Sequence, residues 1–152
     1  MSQLAKLFID RSENGLAIDQ VPLRNFTPEQ IRLAIQALMA EGRDALAYAL
    51  GDAGIALYPH NEDMLAITGL LAVVREDWSV AIELITELIE MQGEKATSFS
   101  YLMLVRALIC NLDLHQALDV VVLGLKNFPG NSDLELEYGS LLELLGLTVT
   151  QE

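Results

Sequence analysis

The stretch "LYPHNEDMLAITG" (Leu57–Gly69) returns 70 residues later as "NFPGNSDLELEYG" (Asn127–Gly139), and this recurrence constrains the fold more than any other feature of the chain. Pro59 falls on Pro129, Asn61 on Asn131, Asp63 on Asp133 and Gly69 on Gly139, with Tyr58 and Phe128 aromatic for aromatic. Half of that distance is visible as well. Ala47, Ala81 and Ala117 are spaced by 34 and then 36 residues, and each follows a turn: Gly42-Arg43, Glu76-Asp77 and Leu112-Asp113. A chain that repeats every ~35 residues is built from one supersecondary unit, whose apolar face is covered only by its neighbours.

Within each period the pattern is helical. Ala81, Ile82, Ile85, Leu88 and Ile89 share one face of a helix, and Glu83, Glu87 and Glu90 share the opposite face. The alternation expected of strands is almost absent from Thr27 onward. "TPEQ" predicts Thr27 as N-cap, Pro28 at the first helical position and Gln30 closing a capping box. "SDLE" predicts a similar start at Ser132 and "DLHQ" one at Asp113, while Asn61 and Asp77 suit the same role. Gly42, Pro59, Gly93, Pro129 and Gly146 punctuate the helix ends. In "LLAVVREDWSVAIELI" (Leu70–Ile85) the apolar run stops at Arg75, Glu76 and Asp77 because a tight turn joins two helices there. These signals place helix pairs at about 28–61, 62–97 and 98–131, and a last helix at 132–146.

Gly69 in a first helix, Trp78 after the turn, Ala81 in the second helix, and Pro59 and Pro129 at unit ends are the positions on which the sequence resembles the tetratricopeptide-repeat (TPR) family. The resemblance covers about 120 residues. It implies an all-α solenoid of antiparallel helix pairs, about three and a half units long, over residues 28–150. Residues 1–27 stand apart as an extension or cap: "LAKLF" (Leu4–Phe8) suits a short helix, and the segment reads as an irregular cap or frayed tail, or as an arm that covers an apolar groove or swaps between subunits. There are departures from the family pattern. Gly69 and Gly139 fill the small-residue slot of the first helix, but Ile35 and Val105 occupy it in the other units. Gly93 stands where proline is usual, and Glu76 and Leu112 stand where the turn usually has glycine. Gly69 and Ala81 are small where a neighbouring backbone comes near, so Gly69→Leu is expected to overpack that crossing by ~1–3 kcal/mol. Trp78, Tyr58, Phe128 and Tyr138 are expected to fill gaps between repeats.

Composition narrows the function classes. Against 22 acids there are 9 bases, and the net charge of −13 repels phosphate backbones and anionic lipid. Nucleic acid is therefore not an expected partner. The chain is 52% apolar, above the usual ~45–50%, yet no stretch reaches the ~18 uncharged residues of a membrane span. Met1–Asp10 lacks the pattern of a signal peptide, so a cytoplasmic protein is expected. The single cysteine, Cys110, excludes an intramolecular disulfide, and its setting in "VRALICNL" suggests a buried small hydrophobe. His60 and His115 read as surface turn residues with no second metal ligand near them in sequence. No glycine-rich phosphate loop or nucleophile elbow is present, so the chain reads as a non-enzyme with no cofactor and no metal.

What remains is a surface. In helical-pair solenoids the first helices line the inner face. The residues expected there are Arg32, Gln36 and Met39, then Ala66, Leu70 and Val73, then Leu102, Arg106 and Ile109, and finally Leu136, Ser140 and Glu143. Leu70, Val73, Leu102 and Ile109 are either ordinary core or the floor of a groove that takes a partner's amphipathic helix. TPR proteins that clamp the terminal carboxylate of heat-shock chaperones use Lys, Arg and Asn on this face, whereas only Arg32 and Arg106 are basic here. The small acidic TPR chaperones of bacterial type III secretion are closer in size and charge, and "LAITGLLAVVREDWSVAIELITELIE" resembles their repeats. That resemblance implies a chaperone or assembly factor with a protein client. The alternative is a structural adaptor that pairs with itself as a homodimer.

Overall fold

The computed structural model describes residues 2–17 and 20–147. Among them are eight α-helices and no strand: α1 (Gln3–Glu13), α2 (Pro28–Ala40), α3 (Asp44–Leu57), α4 (Glu62–Val74), α5 (Trp78–Gln92), α6 (Ser98–Cys110), α7 (Leu114–Asn127) and α8 (Ser132–Leu144). Single 3-10 turns occupy Leu23–Asn25 and Gly93–Lys95. The expected pairs are α2 with α3, α4 with α5 and α6 with α7, followed by α8. Residues 148–150, at the end of the expected repeat region, lie outside the described residues.

Three residues link the helices of each pair, and the links close in the same way. Gly42, Glu76 and Leu112 take positive φ values of 72°, 59° and 64°. The next N–H then reaches back to a carbonyl five residues earlier: Arg43 to Leu38 at 2.8 Å, Asp77 to Ala72 at 2.9 Å and Asp113 to Leu108 at 2.9 Å. This is the bond of a Schellman cap, which satisfies carbonyls the helix leaves unpaired. Gly15 after α1 and Gly146 after α8 close their helices likewise, at 67° and 71°. Glycine adopts this conformation without strain. Glu76 and Leu112 adopt it at a cost of roughly 1–2 kcal/mol, set by the closure that their position demands.

The helix starts follow the sequence in part. Gln30 N–H donates to Thr27 Oγ1 at 3.2 Å and Thr27 N–H donates to Gln30 Oε1 at 2.8 Å, completing the capping box. Asn61 accepts from Met64 N–H at 3.2 Å, as expected. Ser132 is not the cap of α8. Asn131 is, accepting from Leu134 N–H at 3.1 Å, because its amide oxygen meets the third helical N–H just as Asn61 does 70 residues earlier. Asp77 and Asp113 hold the cap position but make no side-chain cap bond. Asp113 Oδ2 instead accepts from Asn111 Nδ2 at 2.8 Å.

The chain divides into two compact halves, Met1–Leu71 and Ala72–Glu152. In the first, Ile31, Ala34, Ile35 and Leu38 form one stripe of α2 that is fully buried. Leu4, Ala5 and Phe8 of α1 join the same core, with Ala47 and Leu50 of α3. Residues 3–13 are thus a regular helix packed on α2, not a frayed tail; Ser2 Oγ caps it by accepting from Ala5 N–H at 3.0 Å. The apolar spacing of Leu4, Ala5 and Phe8 is that of a helix face, and burying it stabilises the segment. In the second half, α6 is the central element. Tyr101, Leu102, Leu104, Val105, Ala107 and Leu108 are all buried, so it is covered nearly all round. Ala81 of α5, Ala117 and Val121 of α7, and Leu134 and Leu141 of α8 surround it. Trp78 and Tyr138 pack half-buried against this core.

The close crossings fall mostly where the sequence did not point. A Cβ added at Gly54 of α3 would lie 2.9 Å from Met64 Sδ and 3.1 Å from Ile31 Cγ2. At Gly124 of α7, 70 residues later, it would lie 3.3 Å from Tyr101 Cβ and 3.3 Å from Leu134 Cδ1. Gly69 is buried as expected. Gly139 is not a crossing, since an added Cβ there meets nothing within 4 Å.

Candidate binding surface

Arg32 sits one turn into α2 and Asp63 at the start of α4. Their Nε and Oδ1 are 2.9 Å apart, a charge-assisted hydrogen bond between two first helices. Glu29 adds a longer contact to the same guanidinium at 3.9 Å. In the second half Arg106 of α6 repeats the arrangement, donating from Nε to Glu137 Oε1 of α8 at 3.0 Å. Both pairs span 31 residues, one period less one helical turn. Such partly exposed pairs contribute only about 0–1 kcal/mol each. Their importance here is that both cations of the expected inner face are already engaged by carboxylates of that face.

The other predicted positions separate into surface and core. In the first half Gln36 is exposed, Met39 is half-buried against the core, Ala66 is half-buried and Leu70 is exposed. In the second half Val73 and Ile109 pack half-buried against the core. Leu136, Ser140 and Glu143 are exposed. Leu102 is corrected from the surface to the core: it is 7% exposed and belongs to the central cluster. The reason is the centrality of α6, whose apolar residues nearly all find cover. Cys110 is corrected in the opposite direction, because it is exposed. It lies four residues after Arg106 on the outward stripe of α6, and its apolar neighbours in sequence belong to other faces.

Two large apolar residues on this surface escaped the sequence reading. Phe99 is 55% exposed and precedes Arg106 by seven residues, two turns along the same stripe. Leu144 is 60% exposed and follows Glu137 by seven. With Leu136 at 71%, they give α6 and α8 an apolar surface. Asp133, Glu137 and Glu143 of α8 lie among these residues in sequence. The i, i+7 spacing from the paired residues was the available signal. No group of three His, Cys, Asp or Glu among the described residues could hold a metal ion. No described helix is long and apolar enough to cross a membrane.

No protein-family model matches the sequence, and no curated protein matches it. Solved structures do match. The MamA structure MSR-1 C2 superposes with a TM-score of 0.74 at 17% identity, over 94% of this chain and 85% of that one. The first TPR of Spaghetti (RPAP3), bound to the HSP90 peptide SRMEEVD, superposes at 0.68 and 13% identity, over 78% of this chain and 93% of that one. The fold is that of the TPR solenoids. A third TPR structure, the Sgt2 domain from Aspergillus fumigatus, agrees at 0.64 and 12% identity, over 82% of this chain and 87% of that one. Ala47, Ala81 and Ala117, the alanines of the repeat, are all fully buried. Pro59 and Pro129 are exposed at the pair ends.

Proposed function

We propose that the chain is a protein-binding TPR module and that α6 and α8 hold a basic, amphipathic segment of a partner. The observation that carries this reading is the surface of α6 and α8. Phe99, Leu136 and Leu144 are more than half exposed there, while Arg106 is neutralised by Glu137. Apolar residues of this size on a surface favour an apolar partner face. With Arg106 paired and a net charge of −13, the charge left over is acidic, which favours a basic flank on the partner. The contrast with the RPAP3 domain supports this choice. The peptide bound there, SRMEEVD, carries three acids and one arginine. Arg32 and Arg106, the cations available to grasp such a peptide, are both already paired.

The finer reading is a cytoplasmic chaperone or assembly factor for a secretion apparatus. Its support is the likeness of the repeats to small acidic secretion chaperones. In the second half the proposed contacts are Val73, Arg106 and Ile109, with Phe99, Leu136 and Leu144 added; Arg32, Gln36, Met39, Ala66 and Leu70 are the proposed contacts of the first half, taken by itself.

The test is affinity purification of the tagged chain from its own cells, comparing wild type with Phe99→Glu/Leu136→Glu and with Val122→Glu. Val122 lies on α7 and is 50% exposed. The expected result is a stoichiometric partner that survives Val122→Glu and is lost from the double variant, with helicity unchanged in all three. A wild-type homodimer that carries no partner and separates in the double variant replaces this reading with the self-associating adaptor.

A further inference from the structure

The link between α5 and α6 departs from the other connections between pairs. It runs over five residues, Gly93–Thr97, and folds as a 3-10 turn, where Tyr58–Asn61 and Phe128–Asn131 each use four. Gly93 occupies the place where the repeat usually has proline, at φ 56°. Between this link and the end of α7 the second half contains a recess of about 480 Å³. That lies within the ~300–1,000 Å³ range of small-ligand sites.

The charge of the recess is one-sided. Its aromatic wall is Tyr101 and Phe128, with ring centroids 6.1 Å apart and planes at 62°. Its charged groups are both acids, and its neutral polar groups, the Tyr101 hydroxyl and the Asn127 amide, can each donate as well as accept. Glu90 and Glu94 line it, and neither has an ion-pair partner among the described residues. Asn127 donates from Nδ2 to the Tyr101 hydroxyl at 3.1 Å, which leaves its amide oxygen to accept. Tyr101 is 4% exposed, and its hydroxyl oxygen keeps a second lone pair. No lysine or arginine lines the recess.

We infer that this recess binds the side chain of an arginine presented by a partner peptide. A guanidinium is planar, permanently charged and carries five donors with no acceptor, so it matches two carboxylates, an amide oxygen and an aromatic face at once. A carboxylate or phosphate would meet two unpaired glutamates. An aliphatic side chain would use neither the carboxylates nor the Asn127 oxygen. That the arginine comes from a partner peptide rests on the protein-binding reading above, but the recess itself uses none of Phe99, Leu136 and Leu144.

The experiment is a titration of the isotopically labelled full chain with acetyl-arginine amide, followed by amide NMR. Acetyl-citrulline amide, which has nearly the same shape without the charge, is the control. Saturable shifts confined to Gly93, Glu94, Tyr101 and the Asn127 side-chain amide are expected. Citrulline should bind roughly tenfold more weakly, a difference of about 1.4 kcal/mol. Glu90→Gln/Glu94→Gln should lose the shifts while the rest of its spectrum superposes on wild type. Equal binding of citrulline and arginine overturns the inference. So do non-saturating shifts spread over acidic residues elsewhere, which mark general charge attraction.

Discussion

At the scale of single residues, glycine has three different jobs in this chain, and only one of them is visible from spacing alone. Gly139 is helical, yet nothing lies within 4 Å of an added Cβ. Gly139→Ala should therefore stabilise the protein by about 0.5–1 kcal/mol through helix propensity and a less flexible unfolded chain. Gly54 and Gly124 face close neighbours, Met64 and Ile31 for one and Tyr101 and Leu134 for the other. Gly124→Leu should overpack its crossing and cost ~1–3 kcal/mol or more, because Tyr101 Cβ is near its own backbone and has little freedom to retreat. Urea denaturation of the two variants checks both signs. Two stabilising outcomes would show that α7 can move away from α6. The turn glycines were legible, since Gly42 and Gly146 fall at the period. That Glu76 and Leu112 adopt the same left-handed backbone was legible from position and hidden by residue type. Leu112 does so while 82% exposed.

At the scale of helices, the pairing of apolar stripes fixed nearly every boundary in advance. Thr27, Asn61 and the three inter-helix turns were readable because each uses a local signal. The cap of α8 was misread because Ser132 has the commoner capping-box pattern, while Asn131 stands one residue earlier with a better-placed amide. Asn131→Ala should cost ~0.5–2 kcal/mol, whereas Ser132→Ala should stay within ~0.5 kcal/mol. Comparing the urea midpoints of the two variants tests that assignment. Which face of an apolar helix is covered was beyond the sequence, and α6 demonstrates why. Leu102 and Phe99 lie three residues apart and are similarly apolar, yet one is buried and the other half in water. Only the placement of the neighbouring helices separates them, and that placement is non-local. The same limit concealed the Arg106–Glu137 contact, whose partners are 31 residues apart.

At the scale of the whole molecule, charge and apolar surface act against each other. Leu112, Leu136, Leu144 and Phe99 are all more than half exposed, and the net charge of −13 at neutral pH keeps copies of the chain apart. The isoelectric point is about 4.3. Protonating carboxylates as the pH falls toward that value removes the repulsion and leaves the apolar surface in place. Light scattering should rise steeply between pH 6 and the isoelectric point, and Phe99→Glu/Leu136→Glu should scatter less than wild type at the same pH. Equal scattering by both would place the association elsewhere on the surface.

Trp78 gives the two halves different optical properties. It is the only tryptophan in the chain, and it packs half-buried against the core built around α6. Indole emission excited at the red edge therefore reports the core around α6, whereas circular dichroism follows the helices of both halves. A mismatch between the two signals on heating would time the loss of one half against the other without any label.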